Sequence, residues 1–121
     1  MFLTGIDHVQ MAAPQGCERD ARNFFGRLLG LTEIEKPAAL CSRGGCWFKV
    51  GEQQLHIGVE KDFRPARKAH PAFLMSNIEA CFASLAKAGI ACAWDDARGD
   101  TKRFYADDPW GNRLEFTEPT C

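Results

Sequence analysis

The stretch Arg103-Phe-Tyr-Ala-Asp-Asp-Pro-Trp-Gly-Asn-Arg-Leu-Glu-Phe116 predicts a β-hairpin and decides the fold. Residues 107–112 contain the Pro, Gly and Asn that a tight reversal needs for fixed or left-handed backbone angles. Beyond the turn, Leu114 and Phe116 share one face of a strand and Glu115 points to the other. If both faces are covered, the carboxylate needs a partner, because a lone buried charge is unstable.

Length and composition predict one ordinary domain, spanning residues 1–121. The chain is 45% hydrophobic and 26% charged, with a net charge of −1, which is typical of soluble globular proteins. There is no basic footprint for nucleic acid and no basic amphipathic segment for a membrane surface. No apolar run approaches the roughly 20 residues of a membrane span, and the N-terminus does not resemble a signal peptide. We therefore expect a cytoplasmic protein without nucleic-acid or membrane partners.

The six cysteines are scattered and include no Cys-x-x-Cys pair. They are Cys17, Cys41, Cys46, Cys81, Cys92 and Cys121. We interpret them as reduced thiols, several of them buried as small hydrophobic residues. A disulfide framework of a secreted protein is the alternative.

The order strand, helix, strand, strand, strand is predicted twice, with an offset of about 60 residues. Module one covers about residues 1–60, a charged linker about 61–68, and module two about 69–121. Leu55-His-Ile57 in the first module is echoed by Leu114-Glu-Phe116 in the second. Two such modules, each with one helix and one sheet face to bury, predict an α+β fold.

Both predicted helices carry an apolar stripe at helical spacing. The stripes are Ala21, Phe24, Phe25, Leu28 and Leu29 in helix 17–30, then Ile78, Cys81, Phe82, Leu85 and Ala86 in the second helix. Gly30 and Gly89 suit the C-terminal caps. Ser76 and Glu79 have the spacing of a capping box, which predicts Ser76 as the N-cap of the second helix.

The three histidines fall on predicted strands at matching places in the repeat. His8 and His70 lie on the first strand of their modules, and His56 and Glu115 on the last. Imidazole and carboxylate groups suit Fe, Mn, Co, Ni or Zn, and two His with one carboxylate are typical of many non-haem iron sites. Each residue taken alone is also compatible with an ordinary strand side chain. Their equivalent positions favour a metal site.

Five segments together resemble the vicinal oxygen chelate superfamily, which includes glyoxalases, bleomycin-resistance proteins and ring-cleaving dioxygenases. They are Ile6-Asp-His-Val9, Phe24-Phe-Gly-Arg-Leu-Leu-Gly-Leu31, Leu55-His-Ile57, Ala69-His-Pro-Ala-Phe73, and Phe104-Tyr105 through Asp108-Pro-Trp-Gly-Asn-Arg-Leu-Glu-Phe116. The resemblance covers nearly the whole chain. It implies paired βαβββ modules that form a cupped, curled mixed sheet with the helices outside. It also implies a homodimer whose metal sites combine modules of different subunits.

The resemblance also implies the roles of individual residues. His8, His70 and Glu115 match the usual metal ligands of the superfamily. His56 matches a fourth position, where glyoxalase I enzymes carry a glutamate and several other members have no ligand. His56 is therefore either a fourth ligand or a cavity residue and, when not a ligand, the base nearest the metal. The implied catalytic residues are Glu115 and His56, and the implied cofactor is a divalent ion of Fe, Mn, Ni, Co or Zn.

The function implied is Lewis-acid chemistry on a small oxygen-rich molecule, in a lyase, isomerase, transferase or dioxygenase. A metal-free protein that binds a drug or another small molecule, as in bleomycin resistance, is the alternative. A structural relic of the fold is a third interpretation. Glyoxalase I itself is not matched, because position 56 is His and no glutathione site is recognisable. The cations considered for a fosfomycin-type anion site are Arg43, Arg98, Lys102 and Arg103, and they do not match that site.

Overall fold

The predicted repeat is present in the order of the structural elements. A computed structural model describes residues 2–120, and Met1 and Cys121 lie outside the described residues. The chain divides between Arg64 and Pro65 into two units, within the segment 61–68 interpreted above as a linker. The interpretation of the whole chain as one domain stays a prediction.

The first unit contains four strands, an α-helix that continues as a π-helix, and a 3-10 helix. Its elements are β1 His8–Ala13, α1 Glu18–Ala21, a π-helical segment Arg22–Leu28, β2 Thr32–Ile34, a 3-10 helix Ala38–Arg43, β3 Cys46–Val50 and β4 Gln53–Val59. The sheet order is β1-β4-β3-β2. β1 runs parallel to β4, and the other two pairs are antiparallel.

The second unit repeats this arrangement. Its elements are β5 Ala72–Leu74, α2 Ile78–Lys87, β6 Cys92–Trp94, β7 Thr101–Asp107 and β8 Arg113–Pro119. The sheet order is β5-β8-β7-β6, with β5 parallel to β8 and two antiparallel pairs. Two four-stranded mixed sheets of one topology confirm the predicted α+β fold built from βαβββ modules.

The strand register places the four predicted site residues at equivalent positions. In the first unit, His56 on β4 lies opposite Gln10 on β1, and His8 is two residues before Gln10. In the second, Glu115 on β8 lies opposite Ala72 on β5, and His70 is two residues before Ala72. Parallel pairing of the first and last strand of each unit is therefore what brings each histidine beside the last strand.

The first helical segment buries the predicted stripe only in part. Ala21, Phe24 and Phe25 are buried, and the Phe25 ring centroid is 5.9 Å from that of Phe48 on β3. Leu28 and Leu29 are only partly buried. The segment is wound with i to i+5 hydrogen bonds, such as Leu29 N to Phe24 O at 2.9 Å, and this wider turn rotates later residues off the stripe.

An aromatic cluster forms the core of the second unit. The rings of Phe104 and Phe116 are stacked with centroids 4.8 Å apart, and Phe82 meets Phe104 edge-on at 5.1 Å. Both Phe104 and Phe116 are fully buried, as is Leu114. These side chains occupy the helix-side face of β7 and β8, which leaves Glu115 to the opposite face.

The predicted capping box of α2 is wrong. The N-cap is Asn77, whose Oδ1 accepts a hydrogen bond from Ala80 N at 3.4 Å. Glu79 does not reach back to the cap, because its carboxylate is paired with the Lys102 ammonium. The first backbone amide of α2 is satisfied by Glu118 on β8, because Ile78 N donates a hydrogen bond to Glu118 Oε1 at 2.8 Å.

The turn between β7 and β8 is organised by a buried carboxylate. Asp108 Oδ1 accepts hydrogen bonds from Trp110 N at 3.0 Å and Asn112 N at 2.8 Å, and Oδ2 accepts from Asn112 Nδ2 at 2.8 Å. Gly111 has a φ of 94°, the left-handed angle expected of this turn. Burial raises the pKa of Asp108, and the three hydrogen bonds oppose that rise.

The five cysteines of the described part are free, as predicted, and Cys121 lies outside it. Cys17 and Cys46 are buried, and burial raises the pKa of the Cys46 thiol to about 12. These two thiols therefore stay protonated and pack as hydrophobic side chains. Across residues 2–120, no helix combines the length and the hydrophobicity that a membrane span requires.

Candidate functional site

The partner that Glu115 requires is His70, in the same unit. Glu115 is held in β8 between the buried side chains of Leu114 and Phe116, and its own side chain is only 8% exposed. His70 Nε2 lies 3.0 Å from Glu115 Oε1. The Glu115 amide donates to the Pro71 carbonyl at 3.0 Å, so the backbone fixes the spacing of the two side chains.

The hydrogen bonds of His70 determine which ring nitrogen faces Glu115. Nδ1 lies 2.8 Å from the Lys68 carbonyl oxygen, which can only accept, so Nδ1 carries a hydrogen. In neutral His70 the lone pair of Nε2 then points at a carboxylate oxygen. Two acceptors at 3.0 Å are stable only if they share a proton or both face a cation.

Arg103 is the second partner of Glu115, a pairing that the sequence analysis did not predict. Arg103 Nη1 lies 3.6 Å from Glu115 Oε2, and Nη2 lies 3.3 Å from Asp95 Oδ2. Within residues 2–120, Arg103 Nε is buried without a hydrogen-bond partner. A signal was present in the alternation of β7, because Arg103 and Tyr105 share the face of the sheet that carries Glu115.

In the first unit, His8 and His56 form a stack with Trp47. The His56 ring is 3.7 Å from the Trp47 ring with an interplanar angle of 1°, and 4.0 Å from the His8 ring at 15°. Trp47 lies opposite His56 on β3, which explains the first contact. His56 is therefore held between two flat rings and only 4% of its surface is exposed.

Each histidine of this stack has one ring nitrogen occupied. His56 Nε2 lies 2.8 Å from Gln54 Oε1, and His8 Nδ1 lies 3.0 Å from Asp7 Oδ2. Both partners accept, so these nitrogens carry hydrogens and the lone pairs are on His56 Nδ1 and His8 Nε2. The pKa of His56 is lowered, first by burial and then by the electrostatic influence of the neighbouring His8.

The structure thus groups the four predicted residues as two pairs, His8 with His56 and His70 with Glu115, each within one unit. Among the residues described, no cluster of three or more His, Cys, Asp or Glu side chains is positioned to hold a metal ion. The set of four as a shared ligand set stays a prediction.

The chemistry of the donor pair His70 and Glu115 fits a divalent transition metal. An imidazole nitrogen and a carboxylate oxygen are donor atoms that such metals take in proteins, and His70 Nε2 and Glu115 Oε1 lie 3.0 Å apart. Metal-binding histidines usually donate their other N–H to a carbonyl or carboxylate. Lys68 supplies such a carbonyl to His70, and Asp7 supplies such a carboxylate to His8.

Of the four cations considered from the sequence, Arg103 pairs with Glu115, two pair with other carboxylates, and Arg43 belongs to the first unit. Lys102 is paired with Glu79 and Arg98 with Asp100. Arg43 borders a cavity of about 250 Å³ in the first unit, beside Trp47.

Trp94 stacks on Phe82 with ring centroids 4.7 Å apart, so its ring packs against α2.

Comparison with known proteins gives one extensive similarity and many similar folds. No family model matches the chain, and no curated protein does. A crystal structure assigned to the glyoxalase family, from Bacillus anthracis, has 53% sequence identity and a TM-score of 0.97, over 99% of this chain and 98% of that one.

Two further structures show similarity of fold alone. A glyoxalase/dioxygenase from Nostoc punctiforme has 21% identity and a TM-score of 0.80, over 99% of this chain and 94% of that one. A lactoylglutathione lyase from Agrobacterium tumefaciens has 16% identity and a TM-score of 0.77, over 98% and 96%.

Proposed function

The chain belongs to the glyoxalase family, and on that premise we propose that it is a metal-dependent enzyme acting on a small oxygen-rich molecule. One observation carries the proposal. In neutral His70, Nε2 and the facing Glu115 Oε1 are two acceptor atoms 3.0 Å apart, with the other nitrogen of His70 anchored to a carbonyl. A divalent cation satisfies both acceptors at once, and these donors suit Fe, Mn, Ni, Co or Zn.

The proposed ligand set is His8, His70 and Glu115, with His56 as a fourth ligand or as a base. His8 offers Nε2, since Asp7 holds its other nitrogen. In the homodimer that the resemblance implies, the two pairs of a site come from modules of different subunits. We also propose a cytoplasmic location, as expected from the sequence.

When bound, the metal would act as a Lewis acid that stabilises negative charge developing on substrate oxygens. His70 and Glu115 would hold it, and Arg103 would fix the orientation of Glu115 through Oε2. Where His56 is not a ligand, it would accept a proton at Nδ1, because Nε2–H is donated to Gln54. Its lowered pKa keeps His56 neutral at pH 7, the form that a base requires. The proposal covers lyase, isomerase, transferase and dioxygenase reactions.

Metal analysis of protein purified without an affinity tag tests this proposal. We expect a divalent transition metal in the purified protein, or micromolar affinity when the ion is added to chelator-treated protein. Absence of both results would contradict metal dependence. Sedimentation tests the dimer, for which a mass near one 13.5 kDa chain at micromolar concentration would count against sites shared between subunits.

A metal-free binding protein of the bleomycin-resistance type is the second candidate. The observation that favours it is Arg103, which approaches Glu115 to 3.6 Å and balances its charge without any metal. This alternative predicts binding of an aromatic ligand that is unchanged by chelator and by His70→Ala. The metal-dependent proposal predicts that both treatments abolish the activity.

A further inference from the structure

A cavity of about 410 Å³ lies in the second unit and is bordered by two arginines that the sequence did not single out. Its volume is within the range of about 300 to 1,000 Å³ that is typical of small-molecule sites. Arg67, Arg113, Tyr105 and Asp107 supply the polar lining, and three alanines with Cys92 supply the remainder.

Arg113 is held in place by an aromatic ring and a backbone hydrogen bond. Its guanidinium carbon is 3.9 Å from the centroid of the Tyr105 ring, and its backbone amide donates to the Ala66 carbonyl at 2.9 Å. None of the ion pairs formed by residues 2–120 includes Arg113. A guanidinium lying over an aromatic ring keeps its N–H groups available for a bidentate anion.

The lining of the cavity has an excess of positive charge. Arg67 is paired with Asp107 at 3.0 Å and also donates to the Gly111 carbonyl, so this arginine and this carboxylate balance each other. Cys92 adds no negative charge, because burial raises the pKa of its thiol. The guanidinium of Arg113 is thus the uncompensated charge of the cavity.

The cavity is adjacent to the pair formed by His70 and Glu115. Tyr105 on β7 lies directly opposite Glu115 on β8, and its ring meets the His70 ring edge-on with centroids 5.6 Å apart. A molecule whose anionic group contacts Arg113 and whose remainder lies along Tyr105 would approach Glu115. The three alanines of the lining would accommodate an apolar part of that molecule.

We propose that this cavity binds the oxyanion group, carboxylate or phosphate, of a small organic molecule, with Arg113 as its main contact. Arg113 is then a specificity-determining residue, and the substrate is an organic anion. Only the statement that the anion is the substrate rests on the proposed function. The binding itself requires no metal.

Titration of chelator-treated protein with benzoate and with phenyl phosphate tests the binding site, with benzamide as the uncharged probe. Amide shifts in NMR spectra report the contact, and those of Ala93 and Tyr105 are expected to move with the anions and not with benzamide. Arg113→Gln is expected to weaken anion binding at least about 10-fold, since a hydrogen bond to a charged group is worth about 1.5 to 3 kcal/mol. Arg98→Gln changes an exposed arginine of the same unit and is expected to leave binding unchanged.

The comparison of benzoate with phenyl phosphate shows which oxyanion the cavity prefers, and stronger binding of either supports the proposal. Equal binding of benzamide, or undiminished anion binding by Arg113→Gln, would overturn it. Failure of the metal proposal is recognised separately, because it leaves anion binding to the chelator-treated protein intact. Anion binding that fails while the protein binds metal would overturn only the inference about this cavity.

Discussion

His70 Nε2 lies 3.0 Å from Glu115 Oε1, while His70 Nδ1 is committed to the carbonyl of Lys68. The pair therefore needs either a shared proton or a cation between His70 Nε2 and Glu115 Oε1. Ala72 is the strand partner of Glu115, and His70 lies two residues before Ala72. Because β5 and β8 are parallel neighbours, His70 meets the Glu115 carboxylate. This relationship connects the repeat in the sequence to the proposed chemistry.

Glu115→Gln is expected to preserve folding. The glutamine amide can donate a hydrogen bond to His70 Nε2, which removes the conflict between two acceptors, and Leu114 and Phe116 still anchor β8. The free energy of unfolding in urea should change by no more than about 1 kcal/mol. Glu115→Ala leaves His70 and Arg103 without this partner and should lower the free energy of unfolding by more. Equal decreases in the two variants would contradict the described hydrogen bonding.

Gly45→Ala is expected to destabilise the first unit strongly. Gly45 has a φ of 81°, and an added Cβ would lie 1.9 Å from the Ile57 carbonyl oxygen, a backbone atom that cannot easily move. We expect a loss of at least about 3 kcal/mol in urea denaturation. Gly51→Ala is the control, because Gly51 also has a positive φ but has open space around it, and should cost about 1 kcal/mol. Similar losses at the two positions would refute the steric argument.

Asp108→Ala is expected to loosen the turn between β7 and β8. The substitution removes the acceptor for three donors, two of them from the buried Asn112. The loss should be about 3 kcal/mol, measured by thermal unfolding. Asp96→Ala, at an exposed position of the same unit, should change stability by less than about 0.5 kcal/mol. If Asp108→Ala also changed stability by less than about 0.5 kcal/mol, the carboxylate would not be what organises the turn.

Glu18 is expected to make stability depend on pH in the acid range. The hydrogen bond from Gly45 N lowers the pKa of Glu18 in the folded protein below its unfolded value of about 4.3. The resulting stabilisation is fully present above that unfolded value and is lost as the pH falls through the folded pKa. Unfolding measured between about pH 5 and pH 3 should show a weaker pH dependence for Glu18→Gln than for wild type.

The matched control for this prediction is Glu52→Gln, which alters an exposed glutamate in the turn between β3 and β4. This variant should keep the pH dependence of the wild type. A Glu18→Gln profile that is parallel to the wild-type profile throughout the acid range would contradict the role of the Gly45 hydrogen bond.

Features with a local signal in the sequence were predicted correctly. The β3–β4 and β7–β8 hairpins follow from alternation and turn residues, and the repeat follows from the order of elements. The 3-10 helix Ala38–Arg43 was missed, because six residues between Pro37 and Gly44 carry no helical periodicity. The N-cap of α2 was misplaced by one residue, since Ser76 and Asn77 are both good caps and tertiary pairing of Glu79 decides between them.

Of the candidate site, only the residues at equivalent positions of the repeat could be proposed from the sequence. Equivalent positions in the repeat pointed to His8, His56, His70 and Glu115 as candidates, and the register shows why these positions are equivalent. Trp47 stacks on His56 because the two lie opposite each other on β3 and β4, and Arg103 pairs with Glu115 diagonally across β7 and β8. That register is a tertiary property, which composition and spacing do not encode.

Metal titration of the tag-free, chelator-treated protein tests the central claim most directly. Calorimetric titration with Ni²⁺ and with Mn²⁺ would be compared for wild type, Glu115→Gln and the surface control Glu52→Gln. We predict micromolar or tighter binding of at least one ion to wild type and control, weakened about 100-fold or more in Glu115→Gln. Binding that is absent from the wild type, or equally strong in Glu115→Gln, would contradict the claim that Glu115 is a metal ligand.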